Sequence, residues 1–224
     1  MTDALINTTC VCAVLAGAFV FAVFEQTSGL ENWTFESQRR EQARAGRMWA
    51  SPVTLGESSD VRWLPWSKDA NSGRIYIVDF IYTSCPGLCE GLGAQFRLMQ
   101  RELQRQVETM PVSLLSVSFD LAGDTPEQLA AYSQRHGADA SVWRVVRPAD
   151  QREADRLLRT LGIVALEDGT GGFVHNSALH LIDQYGQVRG IYDYGNWQAA
   201  LEGAGLQARE TARAIDESYR ETRQ

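Results

Sequence analysis

The chain has 224 residues, 44% of them hydrophobic and 22% charged, enough to bury one ordinary core with extensions around it. A formal net charge of -7, with Lys68 the only lysine, excludes the basic footprint that a phosphate backbone requires, so no nucleic-acid partner is expected. The four cysteines fall into two pairs, Cys10 with Cys12 and Cys85 with Cys89, which excludes a disulfide-built scaffold.

From Ala4 to Phe24 the chain runs 21 residues without a charge. A helix of that length covers a bilayer core of about 30 Å, so residues 1–25 are expected to form an N-terminal transmembrane anchor. The rival reading, a cleaved signal peptide, lacks a basic n-region and a small-x-small site. Asn7-Thr8-Thr9 is too polar for a lipoprotein box before Cys10, and Cys10 and Cys12 read as membrane-buried thiols. Arg39, Arg40, Arg44 and Arg47 follow the apolar run at a distance and behind Glu25 and Glu31, so they orient the span only weakly. Residues 26–50 are polar and helix-compatible and form a juxtamembrane spacer, whose four arginines could touch anionic lipid head groups but read more readily as a solvated helix face. The turn-rich stretch Ser51 to Trp66 predicts a short hairpin, with Trp63 and Trp66 as core cover.

Ile75 to Tyr82 (I-Y-I-V-D-F-I-Y) predicts a buried strand that ends in the turn T-S-C-P-G-L-C. With Pro86 as the first helical residue, Cys85 caps the next helix and Cys89 lies one turn in. Both sulfurs then meet the positive end of a helix dipole, which favours the thiolate that binds soft metals or attacks disulfides. Two cysteines four apart can also be small hydrophobes on a buried helix. The strand, the turn and the proline favour chemistry.

Leu92, Phe96, Met99, Leu103 and Val107 repeat at helical spacing and predict a helix over 91–109. Val112 to Phe119 is a second strand, and Thr125 or Asp124 caps a helix from Pro126 with Leu129 and Tyr132 inside. A third strand over 142–147 and a helix to Leu161 continue the alternation, which implies right-handed crossovers and a mostly parallel sheet. The Gly-rich loop 167–172 feeds a hairpin of strands 178–183 and 188–192 around Gly186. A last helix from Asn196 to about Arg220 has few large apolar residues, so the domain is placed at 51–200 and a helical extension at 201–224.

The three histidines differ in setting. His136 stands at a helix end beside Gly137, where a capping imidazole is the ordinary explanation. His180 lies within an alternating strand, on the face opposite Leu179 and Leu181. His175 sits where the Gly-rich loop joins the hairpin, and in an open sheet that position can reach the strand end that carries the cysteines.

F-I-Y-T-S-C-P-G-L-C, S-V-S-F-D-L-A-G-D-T-P-E-Q-L-A-A-Y and V-H-N-S-A-L-H-L-I-D-Q-Y-G, in this order over residues 51 to 195, resemble the Sco/SenC family of copper-binding, thioredoxin-like, membrane-tethered cytochrome c oxidase assembly proteins. The resemblance implies an α/β, thioredoxin-like three-layer fold with a mixed central sheet. It also implies copper, as Cu(I) or Cu(II), held by Cys85, Cys89 and the distant His175. Two thiolates and an imidazole suit Cu(I) in three-coordinate geometry, and one further ligand suits Cu(II) near a plane; zinc usually takes a fourth protein ligand. Asp120 precedes and Asp124 opens the D-T-P motif, with support of the ligands and plain turn formation or capping both open.

By the same resemblance the domain stands on the periplasmic side. There it delivers copper to an oxidase subunit or another copper protein. Glu90 and Val174 depart from the family pattern, which often has proline after the second cysteine and aspartate before the histidine. His180 takes a place usually held by an aromatic. A thiol-disulfide reductase using Cys85 and Cys89 on a partner's copper-site cysteines is the alternative. It is weakened because the last proline, Pro148, precedes the loop where thioredoxin-type exchangers carry one. A peroxide-reducing enzyme would need a proline-framed single cysteine with a nearby arginine, which T-S-C-P-G-L-C does not offer.

Overall fold

The computed structural model describes residues 2–26, 34–57, 62–67, 73–85, 87–105 and 110–221, without the side chains of 2–7, 9, 88, 89, 215, 216, 218, 219 and 221. The chain forms two compact units, Met1–Gln42 and Ala43–Gln224.

In the first unit α1 (Thr2–Gln26) exposes Val14, Leu15, Phe19, Val20 and Phe21. Among the described residues no helix is long and apolar enough to cross a membrane, and the uncharged run from Ala4 begins in residues whose side chains lie outside them. α2 (Phe35–Arg44) lies in the expected spacer, where Glu36 pairs with both Arg39 and Arg40 one turn on; Arg39 is buried, so it does not belong to the solvated face expected of these arginines.

The second unit is built on a seven-stranded sheet. Its strands are β1 (Leu55–Gly56), β2 (Arg62–Trp63), β3 (Ile75–Ile81), β4 (Val112–Ser118), β5 (Trp143–Pro148), β8 (Leu179–Ile182) and β9 (Val188–Tyr192), in the order β2-β1-β5-β4-β3-β8-β9. β3, β4 and β5 are parallel, while β8, β9, β1 and β2 join antiparallel, which makes the sheet mixed. The parallel strands are joined by α3 (Leu88–Arg105) and α4 (Pro126–His136), and α5 (Gln151–Thr160) follows β5. Thr125 caps α4 in a reciprocal box with Gln128, and Gly137 closes it with a φ of 67°.

Strand alternation divides the core. Ile77, Leu114 and Trp143 face α3 and α6 (Trp197–Glu221), where Phe96 of α3 meets Trp143 at 5.5 Å between ring centroids. Burying a ring of that size contributes about 2–3 kcal/mol. Tyr76 points to the other face and meets Trp66 at 5.9 Å, whose indole N–H donates to the Ser51 carbonyl. α5 is tied to the same segment through Glu153 and Thr54. Ala200, Leu201, Ala204 and Ala208 of α6 are buried, so small residues dock a helix whose sequence had suggested little grip.

The expected loop 167–172 is the tip of a separate hairpin, β6 (Ala165–Glu167) with β7 (Phe173–His175). β6 has three residues, too few for a period of two to be visible. Asp79 was also hidden in an apolar run. It lies in the middle of β3, 1% exposed, and neither carboxyl oxygen has a hydrogen-bond partner. Burial pushes its pKa up to about 7.

Candidate metal centre

β3 and β4 deliver two aromatic residues to the site. The Phe119 N–H donates to the Ile81 carbonyl at 3.1 Å, so Tyr82 and Phe119 leave the parallel pair side by side. The chain then turns: the Cys85 N–H donates to the Tyr82 carbonyl at 3.2 Å, and Cys85 is buried at 9% exposure. Cys85 therefore belongs to this turn and is not the cap of α3, as the sequence had suggested. The first helical bond runs from the Gly91 N–H to the Gly87 carbonyl, which gives the capping position to Gly87. Pro86 and the Cys89 side chain lie outside the described residues. The Cys89 backbone is the second residue of α3, among the unsatisfied N–H groups that make a helix start positive.

Asp124 fixes the turn through its side chain. It is 1% exposed, and its carboxylate accepts the Thr83 N–H at 3.0 Å, the Thr83 hydroxyl at 2.6 Å and the Ser118 hydroxyl at 2.5 Å. Capping of α4 falls to Thr125, so Asp124 acts on the residue two before Cys85. Asp124→Ala leaves those donors facing a void and is expected to cost about 3 kcal/mol, read as a lower midpoint in urea; a loss under about 1 kcal/mol would deny it this anchoring role. Asp120 only forms the local turn, accepting the Gly123 N–H at 2.9 Å.

His175 is carried by β7. Its ring lies 5.2 Å from Phe119 and 6.4 Å from Tyr82, between centroids. The Tyr82 hydroxyl donates to the Phe173 carbonyl at 3.3 Å, so one residue touches both the strand of the histidine and the turn of the cysteine. Nδ1 is 3.3 Å from the Ser177 hydroxyl, and Nε2 is buried with no hydrogen-bond partner. Burial lowers the His175 pKa, which keeps the imidazole neutral at pH 7. Of the two tautomers that satisfy the Ser177 contact, the one in which Nδ1–H donates to Ser177 leaves Nε2 a lone pair for an ion.

At the carboxyl ends of β3 and β4, Asp124 thus holds the turn that contains Cys85, and the His175 ring packs on Tyr82 and Phe119. Among the described residues no three His, Cys, Asp or Glu side chains form a ready metal cage, and the Cys89 side chain is outside that set. A buried neutral imidazole nitrogen and a buried sulfur are soft donors that fit copper better than calcium or magnesium.

His136 and His180 stand apart. His180 is fully buried on β8 against Phe80, opposite Val78, four residues back along β3 from Tyr82. His136 does not cap α4, since Gly137 does; its ring turns inward onto Tyr132, and its Nε2 is 3.6 Å from Glu90. Sequence reasoning missed Tyr82, Thr83 and Ser118. Their signal was present as hydroxyls at the ends of two strands that flank a cysteine and an aspartate.

A family model described as SCO1/SenC matches residues 64–204. Over 130 residues the chain is 26% identical to a SCO1 protein homolog of Bacillus subtilis (strain 168), covering 57% of this chain and 65% of that protein's length. The solved structure of Arabidopsis thaliana ScoI with copper bound is similar at a TM-score of 0.57 and 15% identity, over 72% of this chain and 98% of that one. So is that of BsSco, described as having a disulfide switch and as a member of the Sco family of cytochrome c oxidase assembly proteins, at 0.57 and 20%, over 71% and 94%. At these identities the two structures establish the thioredoxin-like fold.

Proposed function

The chain belongs to the SCO1/SenC family, and from that premise we propose that it carries copper on Cys85, Cys89 and His175 and hands it to a copper protein during assembly of a respiratory cytochrome c oxidase. One observation carries the reading: the His175 Nε2 is buried and unpartnered at the strand end where Cys85 turns. A buried nitrogen that makes no hydrogen bond costs about 1–3 kcal/mol unless something else takes its lone pair. The copper bound to Arabidopsis ScoI supports the identity of that something.

Copper is the cargo. The two sulfurs and the imidazole hold it with three soft ligands, and a partner's thiolates replace them one at a time. An open three-ligand site permits this exchange, whereas a closed four-ligand site resists it. Asp124 and Ser177 orient the turn and the imidazole throughout. In the same proposal α1 anchors the chain in the membrane, supported by its charge-free run and the exposed apolar side chains along it. The copper domain then stands on the periplasmic side, next to a membrane-bound client.

The alternative of a thiol-disulfide reductase has support in the disulfide switch described for BsSco. The burial of Cys85 favours a held ion over an exposed nucleophile. Metal analysis of the full chain, purified in detergent without added copper and then titrated with Cu(I), separates the two. A carrier takes up about one copper per chain and loses it in Cys85→Ser. No copper in either preparation, together with turnover of a disulfide substrate, would reverse the choice.

A further inference from the structure

Glu90 directly follows Cys89, and its side chain leaves the copper site for the far end of α4. Its carboxylate pairs with Arg135 Nε at 3.2 Å, while His136 Nε2, 3.6 Å away and with its pKa lowered by burial, makes no hydrogen bond to it. Arg135 and His136 are the last two residues of α4, and that end is bolted to the body of α3. Arg97 donates to the His136 carbonyl at 2.7 Å and to the Arg135 carbonyl at 3.1 Å, and Gln100 donates to the Gly137 carbonyl at 3.0 Å. The His136 ring lies against α3 at Gly93, where an added Cβ would come within 2.3 Å of it. A helix-interior glycine, otherwise unfavourable, is thereby explained.

α4 touches both ends of the loop that carries the cysteines. Asp124, one residue before the cap of α4, holds Thr83, and Arg135, at its other end, holds Glu90. Arg135 also reaches the Thr83 carbonyl at 3.5 Å. The first turn of α3 would otherwise have only one end of its hydrogen bonds made and would fray readily.

We propose that Glu90 and Arg135 form a latch that fixes the first turn of α3, whose backbone carries Cys89, against the end of α4. These are positioning residues: neither touches the metal, and both act through the backbone that carries Cys89. The latch slows the departure of the ion, because the first ligand exchange needs one sulfur to move away from the other. Its effect on copper rests on the ligand set proposed above, whereas its effect on the helix start does not.

The test uses the full chain in detergent with Glu90→Gln, Arg135→Ala and the double variant. Arg135→Ala leaves the first turn of α3 untouched and so separates the latch from the ordinary benefit of an acid at a helix start. In the copper-free protein, hydrogen exchange over residues 88–93 should rise in both single variants, with no change beyond Arg97. With Cu(I) loaded, transfer to a chelator should quicken about two- to fivefold in each single variant, as expected for a half-exposed ion pair, and no further in the double. The thiolate-to-copper absorption of the Cu(II) form should shift in both. Unchanged exchange in the single variants would overturn the latch; raised exchange with unaltered transfer and absorption would overturn its hold on the metal. A wild-type chain that binds no copper would sink the ligand set instead, leaving the exchange data to decide on the latch.

Discussion

Replacing His175 with alanine is expected to lower copper affinity by on the order of 100-fold or more, while the fold keeps its stability or gains some. Loss of a residue that merely supports a ligand commonly costs 10- to 100-fold in metal affinity, so loss of the ligand itself should reach at least the upper figure. Stability should not suffer, because the variant removes a buried nitrogen with no hydrogen-bond partner. The ring still packs on Phe119 and Tyr82, so some of that gain is offset by lost contact. A competition titration against a Cu(I) chelator measures the affinity, and thermal unfolding of the copper-free chain measures the rest. Unchanged affinity would remove His175 from the ligand set. A collapse of stability would recast it as a packing residue.

Asp79→Asn should change how stability depends on pH by about 4 kcal/mol, the largest single effect expected away from the metal. The folded carboxyl is pushed up to about 7 by burial, from an ordinary value of 3.8. Between these values the unfolded chain releases a proton that the folded chain keeps, so unfolding gains ground as pH rises. The contribution of Asp79 is present in full below about pH 4 and is gone by about pH 7. Asparagine has no proton to lose there. Urea unfolding of both chains at pH 4 and pH 8 should show the difference between them shift by about 4 kcal/mol in favour of the variant at the higher pH. A shift under about 1 kcal/mol would mean that Asp79 is already charged in the folded protein.

The strands were legible wherever burial imposed a long apolar run. Ile75–Ile81 and Val112–Ser118 lie within a residue of their expected ends, and Thr125-Pro126 announced the start of α4. What escaped depended on contacts far apart in the chain. Nothing near His136 in sequence reveals that its ring would meet Gly93 and lie near Glu90, because that meeting is made by the packing of α3 on α4. Asp124 looked like a cap since acids precede helices; that it holds Thr83 follows only from β3 and β4 ending side by side. Asp79 was absorbed into its run for the opposite reason. One acid among six apolar neighbours hardly alters the pattern, although burial alters that acid greatly.

X-ray absorption at the copper edge of the Cu(I)-loaded full chain, beside the same spectrum of His175→Ala, bears on the ligand set without any client protein. Two sulfur scatterers and one imidazole nitrogen in the wild type, with the imidazole pattern gone from the variant, are expected. A wild-type spectrum without imidazole, or one identical in the two chains, would contradict copper bound by Cys85, Cys89 and His175.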